Sequence, residues 1–521
     1  MKLEVLYNKL KRIHLSEGLA AIGAINACMK YDTGTLFTHS IPIDVIELLK
    51  KRGRTDKDRL ALAINFSKFA RYLLLSKAND HKGEPINFGS KDFFEIYNMI
   101  VNIDGFTDQE HPDEFLKNFL SIFSRIAQSQ FPIQSSIKTL IGRGFYINYM
   151  LLCSGKYRYD FPKKFEEYFG ITIFEFLSTG FVIWSFTNGT IHPSFAEDIP
   201  KCIKGINKYT VQKFLELSSG NPLEYKKHVR GESAYNMDLL RDVFALEPLY
   251  FMPAIPIVRS LKLNDGTFVI PQCRSLLDRT TMGIFHLLSN EERKLAAPSG
   301  RGNKFRDEFG SVYRTYVKDL LSQTKIGSLV DLDILLPKTK TTIPDFALID
   351  GESCLLIEVK LTLLKIDART YFDSKDIKSQ ATSGNIKKAV EQLSEFSTQI
   401  YSGNLAKNAF AGVKKIVKLV IGFDDIFTSN AELLPIIDEN YIDTFSSSLQ
   451  FGTISDIEAI AGGLAQGEPI LNLLLEKAED KQKRLHSIKN ELQIANIPCD
   501  SPLLNDAFDA LINMIGVTSK P

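Results

Sequence analysis

Apolar and polar residues alternate along Thr342 to Thr362, TIPDFALIDGESCLLIEVKLT, and the alternation predicts two antiparallel strands joined by a turn. Asp350-Gly351 supplies the turn signal, because a type I′ turn needs positive φ at both central residues and Asp-Gly tolerates it. With those residues as the loop, Ile349 pairs with Glu352 and Asp345 falls opposite Leu356. The period of two places Phe346, Leu348, Leu355, Ile357, Val359 and Leu361 on one face, and Asp345, Glu358 and Lys360 together on the other. Slipping the loop by one residue would turn Asp345 away from Glu358.

Helical spacing flanks this hairpin. Between Gly302 and Leu321, Phe305, Phe309, Val312, Tyr316 and Leu320 form the apolar stripe of an amphipathic helix. Glu308 borders that stripe, roughly 60° from Phe305, whereas Asp307 points away. Downstream, Ile386, Ala389, Val390, Leu393, Phe396 and Ile400 predict a helix over Asn385 to Ile400, with Lys388 and Gln392 four apart on one flank. Lys414 to Gly422, KKIVKLVIG, is β-branched and suits a buried strand.

Two carboxylates and an ammonium on so apolar a hairpin must pair with one another, hold a metal, or face a solvated cleft. A structural salt bridge from Lys360 to Glu358 or Asp345 is the simplest of these. Pro344-Asp345, a hairpin, then Glu358-Val359-Lys360 resembles the signature of the PD-(D/E)xK, or restriction-endonuclease-like, nuclease superfamily. The resemblance implies an α/β domain with a mixed central sheet, in which Asp345 and Glu358 hold Mg²⁺, or Mn²⁺ as a substitute, and Lys360 positions or polarises the attacking water. It also makes Glu308 a third metal-site carboxylate and aims Gln392 at the site or at a phosphate. The residue types suit that chemistry, since Mg²⁺ takes hard oxygen ligands, keeps several waters and lowers the pKa of water bound to it. The Leu363 to Gly384 segment, with Arg369, Lys375 and Lys378, is longer than the loop of compact members and is either a substrate-contacting insertion or a solvated loop.

Composition narrows the picture further. The chain has 521 residues, enough for several domains, with 44% hydrophobic and 24% charged residues, as globular proteins have. With 63 basic and 62 acidic residues the net charge is +1, so a nucleic-acid enzyme must cluster its cations locally. Arg301, Lys304, Arg306, Lys387, Lys388, Lys414 and Lys415 cluster around the hairpin in sequence, and Lys226, Lys227 and Arg230 make a second group. The six cysteines have no C-x-x-C spacing and the histidines complete no zinc pattern, which favours free thiols in a reducing cytoplasm. No run reaches the length of a membrane span, and the G-x-x-x-x-G-K-[ST] phosphate loop is missing, so any NTPase or sensor would be a separate subunit.

The predicted organisation is multidomain: an all-α region over 1–219, a small α+β connector over 220–299, the nuclease-like α/β domain over 300–485, and a helical extension over 486–521. Within the first, helices are expected over Asp58 to Ala78, from an N-cap at Ser90 through Val101, from Pro112 through Ala127, and over Ile171 to Phe186. The connector predicts a hairpin of Ile257 to Leu263 and Thr267 to Ile270 about Asp265-Gly266, one helix over Ser275 to Ala296, and a break at Pro298-Ser299-Gly300. Further on, Pro435 to Phe445 suggests a strand or irregular connection, and Leu449 to Ile460 a strand turning into a helix with a Ser455/Glu458 capping box. Helices close the chain at Leu471 to Leu492 and Pro502 to Ile515, the charged ones suited to packing or to self-association. The resemblance and the large helical region together imply a DNA-cleaving effector of a bacterial restriction or anti-phage system. RNA cleavage, or a nuclease fold that only docks nucleic acid or a partner, fits the same residues.

Overall fold

The hairpin sits at the centre of a mixed five-stranded sheet in the computed structural model, which describes residues 2–28, 55–103, 136–187, 189–192, 197–198, 205–231, 235–236, 255–256, 267–296, 303–336, 343–361, 374–403, 409–424, 429–440 and 448–516. The strands are β1 (Ser328–Asp331), β2 (Phe346–Asp350), β3 (Ser353–Lys360), β4 (Lys415–Gly422) and β5 (Leu449–Gly452), in that spatial order. β1, β2 and β3 pair antiparallel, while β3, β4 and β5 run parallel. Asp350 pairs with Ser353 and Ile349 with Cys354, so the two loop residues are Gly351 and Glu352, not Asp350 and Gly351. Gly351 takes φ +56° there. The shift is two places and therefore keeps every side chain on its expected face. One further step along the register sets Asp345 against Glu358 directly, rather than against Leu356.

Both faces of the sheet are covered, as parallel strands require. Phe346, Leu348, Leu355 and Ile357 pack with Val417, Leu419 and Ile421 in one core, under α2 (Lys304–Leu321), α4 (Ile454–Gln466) and α5 (Ile470–Glu479). Ala347, Cys354, Leu356 and Val420 meet α3 (Asn385–Tyr401) and the helix Ser429–Asn440 on the other face. That second helix, with Pro435 inside it, takes the first part of the strand or irregular stretch expected over Pro435 to Phe445, and 441–445 lie outside the described residues. Part of the long segment after Lys360 is also helical, over Ser374–Ser383.

The first of these cores does not stop at the boundaries drawn from sequence. Phe161, Phe176 and Phe214 of the helical region, Leu276 and Phe285 of the connector and Leu511 near the C-terminus all belong to it. α1 (Ile137–Phe145) lies against α6 (Pro502–Ile515) so closely that a Cβ on Gly142 would stand 2.1 Å from the Leu504 carbonyl oxygen. The earliest described helices, Lys2–Leu10, Leu15–Cys28, Asp56–Leu75 and Lys91–Ile103, gather around a separate core that Tyr225, Val229 and Val269 complete. Ser90 caps the last of them, its Oγ accepting from the Phe93 amide at 3.1 Å, as expected.

Elsewhere three expectations change. The Ser275 to Ala296 helix is two, Cys273–Thr281 and Gly283–Ala296, and Leu471 to Leu492 divides into α5, a turn at Lys483–Leu485 and a helix over Ile488–Ile494. The connector's strand Phe268–Val269 pairs antiparallel with Ile255–Pro256 and with Thr190–Ile191. Its Asp265-Gly266 turn, the Pro112 helix and the Pro298-Ser299-Gly300 break lie outside the described residues. Of the described residues 65% are helical, and among them no single helix is long and apolar enough to cross a membrane. Cys153, Cys273, Cys354 and Cys499 are free thiols.

The capping box that opens α4 uses Thr453 and Asp456 instead of Ser455 and Glu458. Asp456 Oδ2 accepts from the Thr453 amide at 2.8 Å and from its hydroxyl at 3.0 Å, and Oδ1 accepts from the Lys489 amide at 2.8 Å. The Thr453 bonds are buried and the Lys489 bond half-buried, so Asp456→Ala should lower stability by about 2 kcal/mol in chemical denaturation, both amide donors losing their acceptor. The displaced pair, Ser455 and Glu458, binds Arg143 of α1.

Candidate active site

At the carboxyl ends of β3 and β4 the sequence brings its two hairpin carboxylates together. β2 ends its ladder at Phe346, and Asp345 sits just before it, its amide donating to the Ile357 carbonyl at 3.0 Å. Pro344 precedes it and disfavours helical backbone at Ile343, whose carbonyl accepts from α3. Gln392 of α3 bridges the gap: its Nε2 donates to Glu358 Oε2 at 2.9 Å and to the Ile343 oxygen. Lys360 Nζ donates to Glu358 Oε1. Asp345 Oδ2 accepts from the Val359 amide at 2.8 Å, and Oδ1 accepts from Arg314 Nε of α2 at 2.7 Å.

Four of the predicted residues, Asp345, Glu358, Lys360 and Gln392, thus meet at one point. Glu308 does not join them. It lies roughly 120° around α2 from Arg314, and its Oε1 accepts the Arg158 backbone amide at 3.0 Å, on the side that faces Tyr157. Helical spacing placed Glu308 beside the apolar stripe but could not say which of the stripe's two borders faces the sheet. Among the cations, Lys388 is exposed one turn of α3 before Gln392, and Lys387 is paired with Glu391 at 3.4 Å. Lys304 is exposed at the start of α2. Lys414 stands at the other end of the sheet, bound to Glu352 beside the hairpin loop, about seven strand residues or roughly 23 Å from the level of Lys360. Arg301 lies outside the described residues.

Arg314 and Asp331 are the site neighbours that sequence reasoning missed. Arg314 Nη2 donates to Asp331 Oδ1 at 2.7 Å, Lys318 Nζ donates to Asp331 Oδ2 at 2.9 Å, and the Leu332 amide donates to the Asp345 carbonyl at 3.2 Å. A weak signal existed: Arg314 and Lys318 are four apart on one flank of α2, and Asp331 ends the strand antiparallel to Asp345's own.

Burial dominates the electrostatics. The Glu358 side chain is only 4% exposed. That burial, with Asp345 adding like charge beside it, pushes the Glu358 carboxyl up to about 7 in spite of Lys360. Asp345 is also raised by burial, against the pull of the Val359 amide, Arg314 and Lys360. A raised folded-state carboxyl favours the protonated form, so its contribution to stability is complete below the unfolded value and is lost as pH rises through about 7. Glu358→Gln should therefore stabilise the metal-free protein at pH 8 by on the order of 1–3 kcal/mol, with the gain vanishing near pH 5. Denaturant melts of both proteins at the two pH values check this, and a gain that persists at pH 5 would mean burial does not govern Glu358.

A divalent cation fits this donor set. Two carboxylates crowded into a buried corner raise the cost of ionising each other, and a hard cation between them offsets it. Among the described residues no three His, Cys, Asp or Glu gather as a metal site, so the protein would supply Asp345 and Glu358, with waters and substrate oxygens filling the remaining positions. Each carboxylate oxygen keeps a lone pair beyond the protein bond it accepts. No family model matches the chain, and no curated protein matches it either.

Proposed function

We propose that the protein is a metal-dependent nuclease that hydrolyses DNA phosphodiester bonds at the Asp345–Glu358 pair. The observation that carries this reading is the meeting of Asp345, Glu358, Lys360 and Gln392 at the carboxyl end of β3, from residues up to 47 positions apart. Asp345 and Glu358 would hold Mg²⁺ or Mn²⁺, which supplies a more acidic water and offsets charge on the phosphorane-like transition state. Lys360 stands beside Glu358, where its ammonium orients the attacking water and opposes the developing negative charge. Gln392 fixes the Glu358 carboxylate from α3, and the exposed Lys388, one turn away, would meet a phosphate. The large helical body supports a role in restraining or targeting the cut, as in a bacterial restriction or anti-phage effector, with DNA and a separate sensor or NTPase subunit as partners. That setting is an analogy at the level of the fold.

One observation favours a second reading. All four oxygens of Asp345 and Glu358 already accept from Arg314, Val359, Lys360 and Gln392, as a purely structural cluster in a scaffold or nucleic-acid-docking protein would. Incubating the full chain with plasmid, linear duplex, single-stranded DNA and RNA in Mg²⁺, Mn²⁺ or EDTA separates the two. Metal-dependent cutting supports the nuclease and names its substrate. Neither cutting nor Mn²⁺ binding by calorimetry favours the scaffold.

A further inference from the structure

Arg314 is held more firmly than an ion pair with Asp345 alone would require. Its Nε donates to Asp345 Oδ1 at 2.7 Å, while Nη2 lies 2.7 Å from Asp331 Oδ1 and 3.0 Å from Asp333 Oδ2. The guanidinium carbon stands 4.6 Å from the centroid of the Phe346 ring, the residue next to Asp345. Lys318, one turn along α2, holds the other oxygen of Asp331 at 2.9 Å. A planar guanidinium fork fixed at Nε, at Nη2 and on one face has a single orientation, and a lysine could not reproduce it. With the Val359 amide on Oδ2, that fork determines the plane of the Asp345 carboxylate and the direction of the lone pairs left over.

We propose that Arg314 is a positioning residue for a divalent cation: it orients the Asp345 carboxylate from a rack made of Asp331, Lys318 and Phe346. The proposal rests on the reading of Asp345 and Glu358 as a cation site. Arg314 touches no reacting atom, so its effect belongs to metal affinity, where loss of an outer hydrogen-bond partner typically costs 10–100-fold.

Calorimetric titration of Mn²⁺ into the full chain tests it, using wild type, Arg314→Met, Arg314→Lys and Asp331→Asn, each first shown to be folded by circular dichroism. Arg314→Met is expected to weaken Mn²⁺ binding by about 10–100-fold, and Arg314→Lys to recover part of that loss by restoring the charge without the fork. Asp331→Asn leaves Asp345 and Arg314 in place and should weaken binding by a smaller factor; it carries the test if Arg314→Met does not fold. Unchanged Mn²⁺ affinity in Arg314→Met, or in Asp331→Asn where only that variant folds, overturns the role. Tighter binding in Arg314→Met also overturns it, since Arg314 would then be competing with the cation. A folded wild type that binds no Mn²⁺ removes the cation site itself, and the positioning role with it.

Discussion

Arg143→Met should destabilise the protein by about 3–5 kcal/mol, the cost of leaving a buried carboxylate without its partner. Arg143 of α1 donates to both oxygens of Glu458 in α4, Nε to Oε1 and Nη2 to Oε2, each at 2.6 Å. Nη2 also reaches Ser455 Oγ at 3.1 Å, and the Tyr316 hydroxyl of α2 donates to Glu458 Oε1 at 2.5 Å. The side chains of Arg143 and Glu458 are 5% and 4% exposed, so water cannot stand in for either. Buried ion pairs break even at best against apolar residues of the same shape, so the pair is costly to break and not to replace. Arg143→Met combined with Glu458→Leu and Tyr316→Phe should therefore recover most of the loss. Urea melts of the single and triple variants give the comparison. A cost below about 1 kcal/mol for the single variant would mean that the pair is solvated and that α1 is not tied to α4 as described.

That network also marks where sequence stopped being informative. Arg143 and Glu458 are 315 positions apart, and nothing in either stretch names the other. The S-x-x-E spelling at Ser455 and Glu458 is a capping box by pattern, yet Thr453 and Asp456, two residues earlier, form the box because β5 ends at Gly452 and the chain turns at once. Local elements with strong periodicity were legible: Lys304–Leu321, Asn385–Tyr401, Lys415–Gly422 and Pro502–Ile515 fall where the apolar spacing puts them. The hairpin was legible in its faces and not in its register, because alternation fixes parity alone and Gly351-Glu352 competes with Asp350-Gly351 as the loop. Lys418 shows the converse problem. It is 3% exposed in the middle of β4, where burial lowers its pKa to about 8, although its charge argues for the surface.

The candidate site divides along the same line. Asp345, Glu358 and Lys360 came from short-range geometry on one hairpin, and Gln392 from helical spacing plus a resemblance. Glu308 and Arg314 both lie on α2, and choosing between them needs the rotation of that helix against the sheet. Tyr313 fixes it: its hydroxyl donates to the Gly422 carbonyl at 2.8 Å, and Phe309 packs on Phe423 with ring centroids 5.2 Å apart. Those contacts turn Arg314 toward Asp345 and leave Glu308 to Arg158.

Lys360→Ala should lower the rate of metal-dependent cleavage by about 10²–10³-fold, the usual cost of removing one preorganised electrostatic group from a reacting centre. Mn²⁺ binding should survive in that variant, because Lys360 donates to Glu358 Oε1 without being a ligand, whereas Asp345→Ala should lose cleavage and Mn²⁺ binding together. The pH dependence follows from Glu358. Its carboxyl must lose a proton to hold a cation, and burial with Asp345 alongside keeps that proton on until about pH 7. Wild-type Mn²⁺ affinity should therefore rise from pH 6 to pH 8, and the cation should raise the melting temperature more at pH 8 than at pH 6. Glu358→Gln should bind Mn²⁺ weakly at both pH values, since it lacks the anionic ligand. Cleavage that persists in Lys360→Ala and Asp345→Ala would place the reaction elsewhere in the chain. Cleavage lost in Lys360→Ala with Mn²⁺ still bound would instead locate the ammonium at the water or the phosphate, as the proposed nuclease reading expects.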